Sequence, residues 1–208
     1  MKKTLFGLGL LPLLLALYKL SFAFEVAVPF HEGLRKYELN VLGSLPNDPI
    51  KYFSDLFGLT ALFFLIATLS ISPLNKILKL KWLKYRRFLG VFSFFYAFLH
   101  MLVFFAIDME FSLFAFWNEA LDKPFLFFGL FAFFILLFMA LTSTKKSFRR
   151  FHDWHRLIYL AGIFVILHYL MSLKVVTLLA GFSTTLLLIL LLLRIKPLLV
   201  IITSKKSV

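Results

Sequence analysis

Two histidines stand inside helix-length apolar runs, His100 in "LGVFSFFYAFLHMLVFFA" and His168 in "LIYLAGIFVILHYLMSLK". An ionisable side chain in such a place is costly, and its usual reason is function. Imidazole is also the strongest soft metal ligand this chain owns, because it has 5 histidines and no cysteine. Disulfides, thiolate metal sites, iron–sulfur clusters and haem attached through C-x-x-C-H are thereby excluded. The remaining histidines are His155, at the start of the second run, and His152 and His31, which read as solvated loop residues.

The elements that must carry these imidazoles are membrane helices. Of the 208 residues, 62% are hydrophobic, and 29 are phenylalanine, well above the roughly 45–50% apolar share of soluble domains. A span needs about 20 mostly apolar residues. Six stretches qualify, at 4–22, 55–73, 88–107, 124–143, 156–173 and 175–194. The expected fold is therefore all-α, one transmembrane bundle of six helices occupying 1–208 as a single domain. The first stretch, with its basic start and small residues at Ser21 and Ala23, also has the shape of a cleavable signal peptide.

Lys and Arg set the orientation, since cytoplasmic loops retain them. With the N-terminus inside, the inner side receives 17 basic residues against the single acid Asp153, and the outer side 6 against 9 acids. Both termini are expected in the cytoplasm. The formal charge of +13 then reads as a topology signal, not as a nucleic-acid footprint.

On this topology the spans carrying His100 and His168 run parallel. His100 lies 13 residues beyond Arg87, and His168 lies 12 beyond Arg156. At 1.5 Å per residue both sit roughly 18–20 Å from the cytoplasmic edge, in the outer half of a core about 30 Å thick. Two imidazoles at one depth suit the axial positions of one haem iron; the plainer alternative is interhelical hydrogen bonding. Small residues back each histidine (Ala97, Ser93 and Gly90; Ala161 and Gly162) and either leave a slot for a flat macrocycle or serve helix packing. His155 lies 13 residues before His168, about 20 Å lower, where a second cofactor could sit. Its counterpart positions before His100 are Arg87 and Arg86, so it has no imidazole partner there. The inner cluster of Arg86, Arg87, Arg149, Arg150 and Arg156 could hold haem propionates or a flavin phosphate.

Between 47 and 174 the segments "NDPIKYFSDLFGLTALFFLIATLSISPL", "YRRFLGVFSFFYAFLH", "LDKPFLFFGL", "ALTSTKKS" and "WHRLIYLAGIFVILHYLMSLK" occur in order. Together they resemble the MsrQ family (formerly YedZ) of haem-binding membrane subunits, within the ferric-reductase-like transmembrane group. The resemblance implies haem b with His100, His155 and His168 as ligand candidates, and FMN. It implies electrons drawn from the quinone pool and passed to a periplasmic molybdopterin-containing methionine-sulfoxide reductase subunit that repairs oxidised envelope proteins. The chain would then be a multi-pass protein of the bacterial inner membrane and an electron-transfer subunit, not the catalytic one. Two departures stand out: Trp154 falls immediately before His155, and "HYLM" replaces the family's "HYLW".

Only 14 residues follow the sixth stretch, too few for a nucleotide-binding domain of about 100 residues. The expectation is a relay that receives electrons from quinol or a separate flavoprotein. Two other readings compete: a transmembrane ferric or cupric reductase, and a non-redox transporter or scaffold whose histidines only join helices.

Overall fold

A computed structural model describes residues 2–23, 48–79 and 82–205, and these are almost entirely helical, with no strand among them. Helix α1 spans Lys2–Ala23. Helix α2, Pro49–Ile77, starts six residues before the expected span because the Asp48 side chain accepts from Lys51 N at 2.9 Å. Proline in the first turn completes this start signal, since its missing N–H is not needed there. Helix α3, Leu83–Val103, continues as a π-turn over Phe104–Asp108. A left-handed pair, Glu110 at φ 48° and Phe111 at φ 59°, then breaks the chain. Helix α4 covers Leu113–Asp122, and α5 covers Pro124–Leu141. The short α6, Lys145–Arg150, and a 3-10 turn, Asp153–Leu157, lead into α7, Ile158–Ser172. Helix α8 is Leu178–Lys205.

Four helical stretches are long and apolar enough to cross a membrane: Ile50–Ile77, Leu83–Asp108, Pro124–Leu141 and Asp153–Ser172. They coincide with the second to fifth expected spans. The apolar parts of the first and last, Phe6–Lys19 and Leu178–Leu193, are shorter.

Packing divides the bundle into two pairs, α2 with α3 and α5 with α7, joined through α3 and α5. In lipid such association rests on close packing and interhelical hydrogen bonds, not on burial from water. Leu65, Leu69, Ala161 and Leu187 form the tightest part of one core, where α8 closes over α7 and α2. A second, aromatic core surrounds Tyr96, which stacks on Phe64 at 5.7 Å and donates its hydroxyl to Gly9 O at 2.6 Å. That bond fastens α1 to α3.

The amphipathic α4 did not figure among the expected elements. Phe116 and Ala120 face the bundle, with Phe116 5.6 Å from Phe105, while Leu113, Phe114, Trp117 and Leu121 are exposed. The exposed four fall within roughly 100° of arc, the width of an apolar stripe, and Asn118 and Asp122 lie beside them.

Candidate cofactor site

His100 and His168 sit near the C-terminal ends of α3 and α7, and their ring centroids are 6.0 Å apart with the planes crossed at 76°. The sequence places them at one depth; the structure brings them side by side. Each ring is held in the same manner. His100 donates its Nδ1–H to Ser54 O at 2.8 Å, with Ser54 Oγ at 3.2 Å, both on α2. His168 donates its Nδ1–H to Phe125 O on α5 at 2.7 Å. A backbone carbonyl only accepts, so Nδ1 must carry the proton and Nε2 must be the bare, ligating nitrogen. Among the described residues, Nε2 of neither ring has a hydrogen-bond partner.

This is the arrangement a metal-ligating histidine adopts: one nitrogen on the metal, the other N–H on a carbonyl that fixes the tautomer. The spacing agrees. With metal–nitrogen bonds of about 2 Å and about 1.2 Å from nitrogen to ring centre, two imidazoles across one iron place their centroids about 6.4 Å apart. The observed pair stands 6.0 Å apart. The residues therefore fit a haem iron, which His100 and His168 would hold between them and which would serve electron transfer.

Two glycines make room for the rings. A Cβ added at Gly58 on α2 would lie 3.1 Å from His100 Nδ1, and one at Gly129 on α5 would lie 2.6 Å from His168 Nδ1. The small-residue faces behind the histidines do something else. Ser93 Oγ donates to Ala61 O at 3.0 Å, and Gly162 lies against Leu191 of α8. Ser93 and Gly162 thus serve helix packing, and Gly90 and Ser93 also border an open space, so the small residues take part in both of the expected uses. Gly58, Gly129, Ser54 and Phe125 were missed from sequence; an interior glycine in a strongly apolar helix was the available signal.

The opposite end of α3 and α7 encloses a cavity of about 560 Å³, within the usual range for cofactors and small ligands. Arg86, Arg87 and Arg156 line its rim with His152 and His155, while Leu65, Leu136 and Ile158 form an apolar floor; among the described residues no carboxylate lines it. Gly90 and Ser93 border it too. His155 sits in the 3-10 turn with Nε2 3.2 Å from Thr142 Oγ1 and its ring 4.8 Å from Phe148. It does not join the His100–His168 pair. His152, read from sequence as a loop residue, reaches the same rim and lies 3.6 Å from Asp153. His31 lies outside the described residues.

A membrane bundle with a paired-imidazole centre defines the class, and comparison with known proteins agrees. Residues 55–179 match the family described as "Ferric reductase like transmembrane component". A Rhizobium meliloti (strain 1021) protein named "Protein-methionine-sulfoxide reductase heme-binding subunit MsrQ" is 38% identical over 144 residues, 67% of either chain. Proteins of the same name from Brucella anthropi and Brucella ovis are 34% and 36% identical, over 71% and 66% of this chain and 69% and 64% of their own lengths. The chain belongs to the ferric-reductase-like transmembrane family, in its MsrQ branch. No solved structure matches.

Proposed function

We propose that the chain is a transmembrane haem b electron carrier serving methionine-sulfoxide reduction, with His100 and His168 as the axial ligands. The observation that carries this reading is the imidazole pair, 6.0 Å apart, each ring tied through Nδ1 to a backbone carbonyl that leaves Nε2 as the ligating nitrogen. When bound, haem supplies a one-electron carrier whose potential the protein tunes. The chain's own part is to present two neutral imidazoles, donate each Nδ1–H to a carbonyl (Ser54 O or Phe125 O), and seat the rings among apolar helices.

The finer reading follows the two ends of the bundle. The histidine end faces the periplasm, where a molybdopterin-containing methionine-sulfoxide reductase subunit accepts the electrons. The arginine-rimmed cavity faces the cytoplasm and takes FMN, its phosphate on Arg86, Arg87 and Arg156 and its ring among the apolar side chains, with His155 beside it. Electrons enter here from the quinone pool. In this reading α1 and α8 complete six spans in the bacterial inner membrane, and both termini are cytoplasmic. The basic bias of the inner loops supports that orientation.

A reduced-minus-oxidised spectrum of the purified protein tests the carrier reading, and absence of a b-type band ends it. In vesicles loaded with reduced quinol, the band should reoxidise when the periplasmic reductase subunit and methionine sulfoxide are both added. Reoxidation by chelated ferric iron alone, at the same rate and without the partner, would instead mark a metalloreductase.

A further inference from the structure

We infer that Gly58 and Gly129 are positioning residues that set the planes of the two axial imidazoles, and that the chain holds these planes crossed. The inference rests on the haem reading above and deepens it.

The two halves of the site follow one rule. In each, the partner helix of the same pair supplies a carbonyl and, four residues later, a glycine: Ser54 and Gly58 on α2 for His100, Phe125 and Gly129 on α5 for His168. Residues four apart lie one above the other on a helix face. The carbonyl fixes where Nδ1 points, and the bare glycine backbone lets the ring lie against the helix. Carbonyl and glycine together leave each ring little freedom about its own bond to the metal. The result is the 76° crossing of the two planes.

Glycine inside an apolar helix weakens that helix relative to alanine, so its presence at both seats asks for a local cause. The cause is contact. At Gly129 a Cβ would stand 2.6 Å from His168 Nδ1 and 2.8 Å from Cε1, closer than real side chains approach. The ring cannot retreat, because Phe125 O holds one edge and the metal would hold the other. At Gly58 the corresponding distances are 3.1 and 3.2 Å, and the His100 ring must give by a few tenths of an ångström. The two seats are thus unequal, with His168 the more tightly confined. Gly181 on α8 is the internal contrast, since nothing lies within 4 Å of a Cβ there.

Ligand orientation reaches the iron's electronic structure directly, through the donor orbitals of the axial ligands. Crossed imidazole planes leave two of the iron d orbitals nearly equal in energy, and ferric iron then gives a strongly anisotropic low-spin EPR signal. Parallel planes separate them and give a rhombic signal with three resolved g values.

The test compares Gly58→Ala, Gly129→Ala and the control Gly181→Ala as purified, haem-loaded proteins. The readouts are haem per protein, the ferric EPR spectrum and the midpoint potential. Wild type and Gly181→Ala should show the anisotropic signal. Gly58→Ala should keep most of its haem but shift both signal and potential. Gly129→Ala should lose roughly 10- to 100-fold in haem affinity, the range that changes beside a metal-ligating histidine cost, and any retained haem should give an altered signal. If Gly129→Ala is not recovered from membranes, Gly58→Ala decides. A rhombic wild-type signal, or alanine variants with wild-type haem content, signal and potential, overturns the inference while leaving the haem reading intact. Wild type without haem overturns the parent reading instead.

Discussion

His155 separates two roles that the sequence leaves joined. It lies on the chain segment that leads to His168, yet its Nε2 meets Thr142 Oγ1 at 3.2 Å and its ring borders the arginine cavity. Alanine at His100 or His168 should therefore abolish the b-type band, whereas His155→Ala should leave its amplitude unchanged in the dithionite-reduced spectrum. A halved haem content in His155→Ala would place a second haem in the cavity and displace FMN from it. Tyr96 tests packing independently of the cofactor. Its ring is fully buried, and its hydroxyl bond to Gly9 O is a polar tie between α1 and α3. Interhelical hydrogen bonds in membrane proteins contribute about 0.6 kcal/mol on average, up to about 1.7. Tyr96→Phe should lower thermal stability by that order without altering the haem spectrum. That His100 and His168 lie together was legible because matched depth follows from counting residues after a basic edge. The seats were not, because Gly58 and Gly129 belong to other helices and no local period connects them to the rings they face.

At the scale of elements, long apolar runs announce themselves, and the four central helices appear where a 20-residue window places them. Their ends were less legible. The cap at Asp48 lengthens α2, the π-turn at Phe104–Asp108 carries α3 past its regular end, and the 3-10 turn at Asp153–Leu157 precedes α7. Each depends on a few backbone bonds, such as Met109 N to Phe104 O at 3.1 Å, that no composition window registers. Helix α4 escaped for another reason: it is too short and too charged to count as a span. Its exposed face of Leu113, Phe114, Trp117 and Leu121, with Glu119 paired to Lys123, has the form of a helix lying in the headgroup region. Tryptophan favours that depth because its ring is apolar and its N–H needs a polar partner. In a variant with Trp82 and Trp154 replaced by phenylalanine, Trp117 fluorescence should be quenched by lipids brominated near the headgroup. Strong quenching by an aqueous quencher and none by the lipids would put this face in water.

At the scale of the whole molecule, the bundle has two chemically distinct ends. Helices α2 and α5 begin beside the imidazole pair, and α3 and α7 begin beside the cationic cavity, so the two sites stand at opposite ends of the same helices. Direction across the membrane then reduces to which end is inside. The absence of native cysteine makes that measurable with single introduced thiols. Asp122→Cys should react with an impermeant reagent on intact cells, and Lys146→Cys only after the membrane is opened; the reverse pattern would invert the bundle. The donor side can be isolated in the same way. Arg86, Arg87 and Arg156 converge on a cavity that, among the described residues, no carboxylate lines; Asp153 lies 3.6 Å from Arg156, outside that lining. A phosphate at this rim would take charge-assisted contacts, each of which counts for more than a neutral one. Changing all three arginines to glutamine should remove bound FMN and slow reduction of the haem by quinol, while dithionite still reduces the full amount. The split between the two reductants is the informative result. If both reductants fail equally, the arginines maintain the fold; if quinol reduction keeps its wild-type rate, electrons enter elsewhere.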